Sequence, residues 1–415
     1  MCQGFVHTHA GLVACRLLLG VFEAGVFPGN SNAIKSTQIL TGTGSIYLIS
    51  SYYKRHELQK RWTFFFSSGL VAGAFGGLLA FALAKMNGLG GYSGWRWYVG
   101  PLCVTVCRSS FHRIFIMEGL ATIAFSFVAK FFIVDWPENA KFLSVAEKQL
   151  LIKRLAEDGA TAVARMDRLD RPTVFRILRD WKIWTWLVTL PSFSERANSL
   201  YSAFIYMGVA TSSYSTMFFI PTILNEMGYK PAQAQLHTIP IYVVCIVIAG
   251  ATAYLSDRMR HRYSLTMIGI LVATIGYTML LRQERLSTGV KYLAVFFISS
   301  GVYITQPITI VWLANNMGGH YKRSFGAAIQ IAIGNIGGII GSNIYLQEEM
   351  PAYRTGYGTA LAMLWVAGAL CTCFYLGLKR ENNKRARGER DDRLNAPLET
   401  IENLGDDHPD FRFSL

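Results

Sequence analysis

The sequence predicts an all-α membrane protein, and three observations carry that prediction. Of its 415 residues, 52% are hydrophobic and only 16% are charged, below the ~25% charged residues of soluble domains. The apolar residues gather into runs close to the ~20 residues that a helix needs to cross a bilayer. Lys and Arg concentrate in alternate loops between those runs, which orients the chain with the basic loops in the cytoplasm. The net charge of +14 therefore belongs to membrane orientation and is not a nucleic-acid footprint.

The first run, Gly11–Gly29, is followed by Trp62–Ala84, Ile114–Val134, Ile205–Leu224 and Leu236–Leu255. Leu265–Leu281, Tyr292–Leu313, Phe325–Leu346 and Gly356–Leu378 complete nine candidate spans. The basic loops are YYKRHELQKR (52–61), the long segment 135–182, DRMRHR (257–262), HYKR (320–323) and the tail from Lys379. Loop RQERLSTGVK (282–291) is basic on the predicted outer side and is the exception. Segment 135–182 opens at Pro137 and then reads as an amphipathic helix, AEKQLLIKRLAEDG, with Glu147, Leu150, Leu151 and Arg154 at helical spacing. It reads as a cytoplasmic linker between two halves. The tail 379–415 is charged and reads as disordered. The opening MCQGFVHTHA lacks the basic and apolar regions of a cleavable signal peptide.

Polar groups inside apolar runs carry the functional reading. Arg16 and Glu23 are seven residues apart, so on a helix they share one side. A central charge costs about 2.5–3.5 kcal/mol on insertion scales and faces a bundle interior or a water-filled path. A structural role remains open, with Arg16 snorkelling and Glu23 only pairing. Ser212, Ser213, Tyr214, Tyr303, Gln306, Gln330 and Asn335 offer amides and hydroxyls within spans, either as ligands or as interhelical hydrogen bonds. Pro221 and Pro307 are candidate kinks near them. Gly69, Gly73 and Gly77 form one small-residue stripe, and Gly334, Gly337, Gly338 and Gly341 another, each suited to close helix packing.

Several classes are excluded or weakened. The seven cysteines lack zinc-site spacing, and neither a metal nor a cofactor is expected. No Ser/His or His/Asp/Glu cluster has catalytic spacing, so an enzyme is not expected. The absence of a Walker loop leaves ATP-driven transport without an engine. Three stretches, Asn30–Gly44, Tyr98–Arg113 and Pro191–Phe204, interrupt otherwise smooth segments; such polar backbone cannot sit in hydrocarbon unpaired.

The sequence resembles the major facilitator superfamily, and within it the fungal anion:cation symporters grouped with allantoate permease and high-affinity nicotinic acid transporters. The stretches that carry this are CRLLLGVFEAGVFPG, SYYKRHELQKR, GWRW with IFIMEG, DWPENAKFLS, SSYSTMFFIPTILNEMGY, HTIPIY, YLSDRMRHRYSL, YITQPITIVWLANNMGGHYKRSFGAAIQIAIGNIGGIIGSNIY and YRTGYG. The resemblance implies a two-bundle helical transporter with about nine of the usual twelve helices present. On that plan 1–134 is a remnant of the first bundle, 135–182 the linker and 183–378 the second, six-helix bundle. The three inserts and the missing opening helices are read as retained introns and a late start in the coding sequence.

The same resemblance implies the function. The expected activity is proton-coupled uptake of a small organic anion, nicotinate or a related vitamin-like carboxylate, by alternating access. An anion needs a fixed positive partner, here Arg16, and Glu23 is the carboxylate whose protonation would free Arg16. Glu118 is the rival proton site. Ser213, Tyr214, Tyr303, Gln306, Gln330 and Asn335 complete the expected substrate contacts. Asp257, Arg258, Arg260 and Arg262 resemble the second-half copy of the superfamily's loop motif, a latch at a helix end. Lys322 and Arg323 read most simply as a cytoplasmic anchor. Ala74 stands where the superfamily's antiporters carry proline, which favours a symporter or uniporter. The expected partners are the anion, protons and the lipid bilayer, with no nucleic acid; the chain is expected to be a monomer, multi-pass, in the plasma membrane. A second reading is a non-transporting product or nutrient sensor of the same family.

Overall fold

A computed structural model describes residues 9–24, 49–50, 52–55, 57–85, 122–128, 131, 137, 140, 142–156, 201–318, 320–350, 352–395, 397, 401 and 404–415. The first half contributes α1 (His9–Ala24) and α2 (Leu58–Lys85), and the linker contributes α3 (Val145–Ala156). The second half forms six consecutive helices: α4 (Tyr201–Glu226), α5 (Pro231–Met259), α6 (Arg262–Leu281), α7 (Thr288–Asn315), α8 (His320–Asn343) and α9 (Arg354–Ala386). Four stretches within the described residues, Gln233–Met259, Arg262–Leu281, Thr288–Asn315 and Arg354–Ala386, are long and apolar enough to cross a membrane. The expected span 114–134 is described only in part and is helical over 122–128. Inserts 30–44 and 98–113 lie outside the described residues, as does 191–200 of the third; its remainder, 201–204, is the first turn of α4.

Helices outrun the apolar stretches that announce them. The run ending at Leu378 continues as helix to Ala386, because Lys379, Arg380, Lys384 and Arg385 are good helix formers and favour the negative end of the helix dipole. The linker helix starts where a Ser-x-x-Glu box predicts. The Ser144 N–H and hydroxyl both donate to Glu147 Oε2 at 2.8 Å, and the Glu147 N–H donates to Ser144 Oγ at 3.3 Å. Those bonds, the backbone one first, hold the Glu147 carboxyl below its ordinary range. At the other end of the molecule Glu349 caps α9, accepting from the Thr355 N–H at 2.7 Å and from the Thr355 hydroxyl. These bonds, here the side-chain one first, lower the Glu349 pKa as well.

The second half is built around α7. From Ile298 to Asn315 every residue of this helix is buried, because it packs against α6, α5, α4, α2 and α8. α8 and α9 close on α4, and α2 lies along α5. Between apolar helices in lipid there is no water to expel, so close packing and hydrogen bonds hold the bundle. Small residues allow it. A Cβ at Gly276 of α6 would lie 2.5 Å from the Ala294 carbonyl oxygen of α7. On α8 the Gly334/Gly337/Gly341 face meets α4: a Cβ at Gly337 would lie 2.5 Å from the Met207 carbonyl oxygen, and one at Gly341 2.7 Å from that of Thr211.

The first-half glycine stripe behaves differently. A Cβ at Gly69 would meet nothing within 4 Å, and one at Gly73 would reach the Tyr242 ring at 3.4 Å, ordinary contact. Gly77 lies where side chains are not described. Prolines sit inside α4 (Pro221), α5 (Pro240) and α7 (Pro307).

The tail departs most from expectation. Read as disordered beyond Lys379, it instead completes α9 and forms a short 3-10 turn at Asp391–Asn395. After another at Gly405–Asp407 it ends in a coil whose Phe411 and Phe413 are buried. Two phenylalanines spaced i, i+2 in a charged segment are the apolar anchor that charge content alone obscures.

Gly337→Ala is expected to lower stability by about 1–3 kcal/mol, the cost of overpacking a filled interface, whereas Gly69→Ala should change it by no more than ~0.5 kcal/mol. Thermal unfolding of the two purified variants in detergent checks this. Equal melting temperatures would contradict the close α4–α8 approach.

Candidate functional site

Midway along the second half, polar side chains of three helices meet. The Ser213 hydroxyl on α4 donates to Gln306 Oε1 on α7 at 2.8 Å. Gln306 Nε2 in turn donates to the Tyr206 hydroxyl at 3.3 Å. Tyr206 and Ser213 are seven residues apart and so lie on one face of α4. Tyr303, one turn from Gln306 on α7, is buried in one cluster with Tyr242 of α5, and its hydroxyl interacts with Ser213. On the adjacent face Tyr214 donates to Asn335 Oδ1 of α8 at 3.1 Å, where Asn335 is exposed and Tyr214 half-buried. Gln330 of α8 donates to the Thr309 carbonyl of α7 at 3.2 Å. Ser212 turns the other way and shares a 2.6 Å hydrogen bond with Tyr277 of α6.

Thus Ser213, Tyr303 and Gln306 come together, Tyr214 pairs with Asn335 beside them, and Gln330 ties α8 to α7. Each also joins two helices, so every candidate ligand is equally a structural bond in the state seen. Tyr206 is the member that sequence reasoning missed. It sits in an apolar run, and its signal was the seven-residue spacing to Ser213.

The end carrying the basic loops is shut between the halves. Asp257, at the end of α5, is 7% exposed, and its Oδ2 accepts the Lys60 backbone N–H at 3.1 Å. Lys60 is in the first turn of α2, where N–H groups lack helical partners and the dipole is positive. The acidic side chain therefore meets a helix start, with the Arg262 and Lys60 charges near enough to attract it; the Lys60 ammonium itself lies over Tyr254, 4.3 Å from the ring centroid. Arg262 is buried and spans the seam: it donates to the Val311 carbonyl at 3.3 Å and to the Arg55 carbonyl at 3.1 Å. Asn315 Nδ2 donates to the same Arg55 carbonyl at 3.0 Å. Arg323, expected as an anchor, reaches the Ser50 hydroxyl of the first half at 3.1 Å. Arg258 and Arg260 are exposed. Arg260 caps α5 in the left-handed region at φ 55°.

Arg16 occupies an exposed position on α1. Glu23 is on the same helix at a position whose side chain is not described, and Glu118 lies outside the described residues.

Buried polar layers linking long apolar helices, with one end closed by bonds between two halves, define a polytopic helical membrane protein. The model of the Major Facilitator Superfamily matches residues 40–342. The chain belongs to that family and is a membrane transporter rather than an enzyme. It is 32% identical over 384 residues to an uncharacterised transporter of Schizosaccharomyces pombe, covering 92% of this chain and 66% of the relative. It is 25% identical over 410 residues to the high-affinity nicotinic acid transporter of Saccharomyces cerevisiae, covering 99% of this chain and 67% of that protein. A major facilitator-type transporter of Emericella nidulans is 26% identical over 419 residues, with 100% of this chain and 74% of the relative covered. The chain thus spans about two thirds to three quarters of the length of these relatives.

In a double-mutant cycle, Ser213→Ala and Gln306→Ala are expected to couple by about 0.6–1.7 kcal/mol, the range measured for hydrogen bonds between membrane helices. The cycle is read from unfolding free energies in detergent, and strictly additive losses would exclude the Ser213–Gln306 bond.

Proposed function

We propose that this transporter carries out proton-coupled uptake of a small organic anion, nicotinate or a related vitamin-like carboxylate, by alternating access. The observation that supports this most is the Tyr206–Gln306–Ser213 chain with Tyr303 beside it. Its hydroxyls and amide can reorganise from bonding each other to bonding a carboxylate and an aromatic nitrogen. The similarity to a nicotinic acid transporter points to the same substrate class. Positive-inside bias makes the basic end cytoplasmic, so the seam at Asp257, Arg262 and Arg55 is the inner closure, and substrate leaves when it parts. In this reading Ser213, Tyr214, Tyr303, Gln306, Gln330 and Asn335 form the second bundle's share of the site. Arg16 supplies the positive charge, and Glu23, with Glu118 as the rival, takes up the coupled proton. Protonation of Glu23 removes the negative charge that competes with the substrate for Arg16, so one event loads both proton and anion. Asp257, Arg258, Arg260 and Arg262 form the gating loop. The protein works as a monomer in the plasma membrane.

Uptake of labelled nicotinate and of a panel of other carboxylates, by yeast lacking its own uptake system and expressing this chain, tests the proposal. Arg16→Ala is expected to reduce accumulation about tenfold or more, the size of one lost charged hydrogen bond. Glu23→Gln should abolish the dependence of uptake on external pH while leaving exchange of substrate. Normal, pH-dependent accumulation in both variants at equal surface expression would refute the coupling. An absence of uptake for every carboxylate tested would refute the substrate class.

A further inference from the structure

We infer that residues 404–415 form an intramolecular strap, which docks in a peptide groove at the basic end of the second half and holds that end closed against the first. The segment LGDDHPDFRFSL is too charged to look like a packing element, yet its Phe411 is fully buried and its Phe413 is 5% exposed. Both rings enter a cluster with Ile205 of α4, Trp312 of α7, and Cys371, Phe374 and Leu378 of α9. Arg412 between them is exposed. Alternation of this kind is that of an extended chain, inward at every second residue.

The groove recognises the strap's backbone as a neighbouring strand would. Phe413 N–H donates to Asn382 Oδ1 at 2.9 Å, and Asn382 Nδ2 donates back to the Phe413 carbonyl at 2.9 Å. One residue on, Ser414 N–H donates to Asn316 Oδ1 at 2.7 Å, and Asn316 Nδ2 returns a 3.0 Å bond to the Ser414 carbonyl. Trp312 Nε1 gives that carbonyl a second bond at 2.9 Å, and the Arg262 N–H reaches Leu415 O at 2.9 Å. Arg385 binds the His408 and Phe411 carbonyls at 3.2 and 2.8 Å and lies over the Phe413 ring at 4.4 Å. Two asparagines at the ends of different helices, each satisfying both an N–H and a C=O, make a built site for an extended Phe-x-Phe segment.

Arg55 turns this docking into a closure. It belongs to the first half, and its guanidinium lies 4.4 Å from the centroid of Phe411 and donates to the Arg412 carbonyl at 3.4 Å. Its own carbonyl is held by Arg262 and Asn315 of the second half. Parting the halves at this end therefore breaks the Arg55–strap contacts together with the seam. The strap adds to the free energy of the closed state, so releasing it favours opening. An extended segment with the same two-aromatic pattern could take its place in the groove. This inference rests on the alternating-access reading, and the test below reads conformation separately from transport.

Spin labels at Glu57→Cys in the first half and Lys379→Cys on α9, in a background without other reactive cysteines, report the separation of the halves in full-length protein in nanodiscs. Arg55→Met keeps the backbone carbonyl and the apolar stem but removes the guanidinium. It should raise the ratio of open to closed populations about fivefold or more, the lower end of typical coupling. Phe411→Ala with Phe413→Ala should do at least as much. Because those two could unfold the groove, deletion of 404–415 is paired with a synthetic peptide of that sequence, which should restore the closed distance when a scrambled peptide does not. Unchanged distance distributions in Arg55→Met and in the deletion would overturn the strap. Shifted distances in a protein that carries no substrate would leave the strap standing and overturn the transport reading.

Discussion

A polar group on a helix buried on every side is costly unless it is partnered, and α7 is such a helix from Ile298 to Asn315. Thr305 and Thr309 turn back to carbonyls of the same helix, while the amides reach across to neighbours. Gln306 requires Ser213 and Tyr206 of α4, Asn315 requires the Arg55 carbonyl of the first half, and Asn316 requires the strap at Ser414. From Gln306 to its C-cap at Asn316, this helix thus carries the candidate site, the closure between halves and the seat of the tail. In a low-dielectric interior an unmet amide costs about 1–3 kcal/mol, so these ties come as a set.

The approach of neighbouring helices depends on small residues. Gly276 and Gly301 let α6 and α7 approach closely, and Gly337 and Gly341 do the same for α8 and α4, where Tyr214 reaches Asn335. Where no such approach is made, as at Gly69, the glycine meets open space.

Closure at the basic end uses backbone groups more than side-chain ion pairs. Asp257 accepts from a helix-start N–H, and Arg262, Asn315 and Arg55 act through carbonyls. Bonds to fixed backbone atoms lose little conformational entropy when made. By comparison, the exposed Arg154–Glu57 pair at 2.6 Å is the kind of surface contact worth ~0–1 kcal/mol. It ties the linker helix to the first half only weakly.

Hydrophobic periodicity and length located the helices of the second half to within about five residues at every end except the C-terminal end of α9, because spanning a bilayer imposes a local rule on composition that a sequence displays directly. The glycine face of α8 and the apolar spacing of the linker helix were legible for the same reason: each is a pattern at fixed helical spacing. Ser213, Gln306 and Tyr303 could be named as polar residues in apolar runs. That Tyr206 completes the chain, that Ser212 turns away to Tyr277, and that Asp257 meets a helix start were decided only by how helices rotate against one another. Rotation is set by packing summed over the whole interface and leaves no mark at any one position. The tail shows the limit most plainly. Its charge content argued for disorder, and two buried phenylalanines with two asparagines from distant helices decided otherwise, because a groove made by residues over a hundred positions apart exists only once the bundle has folded.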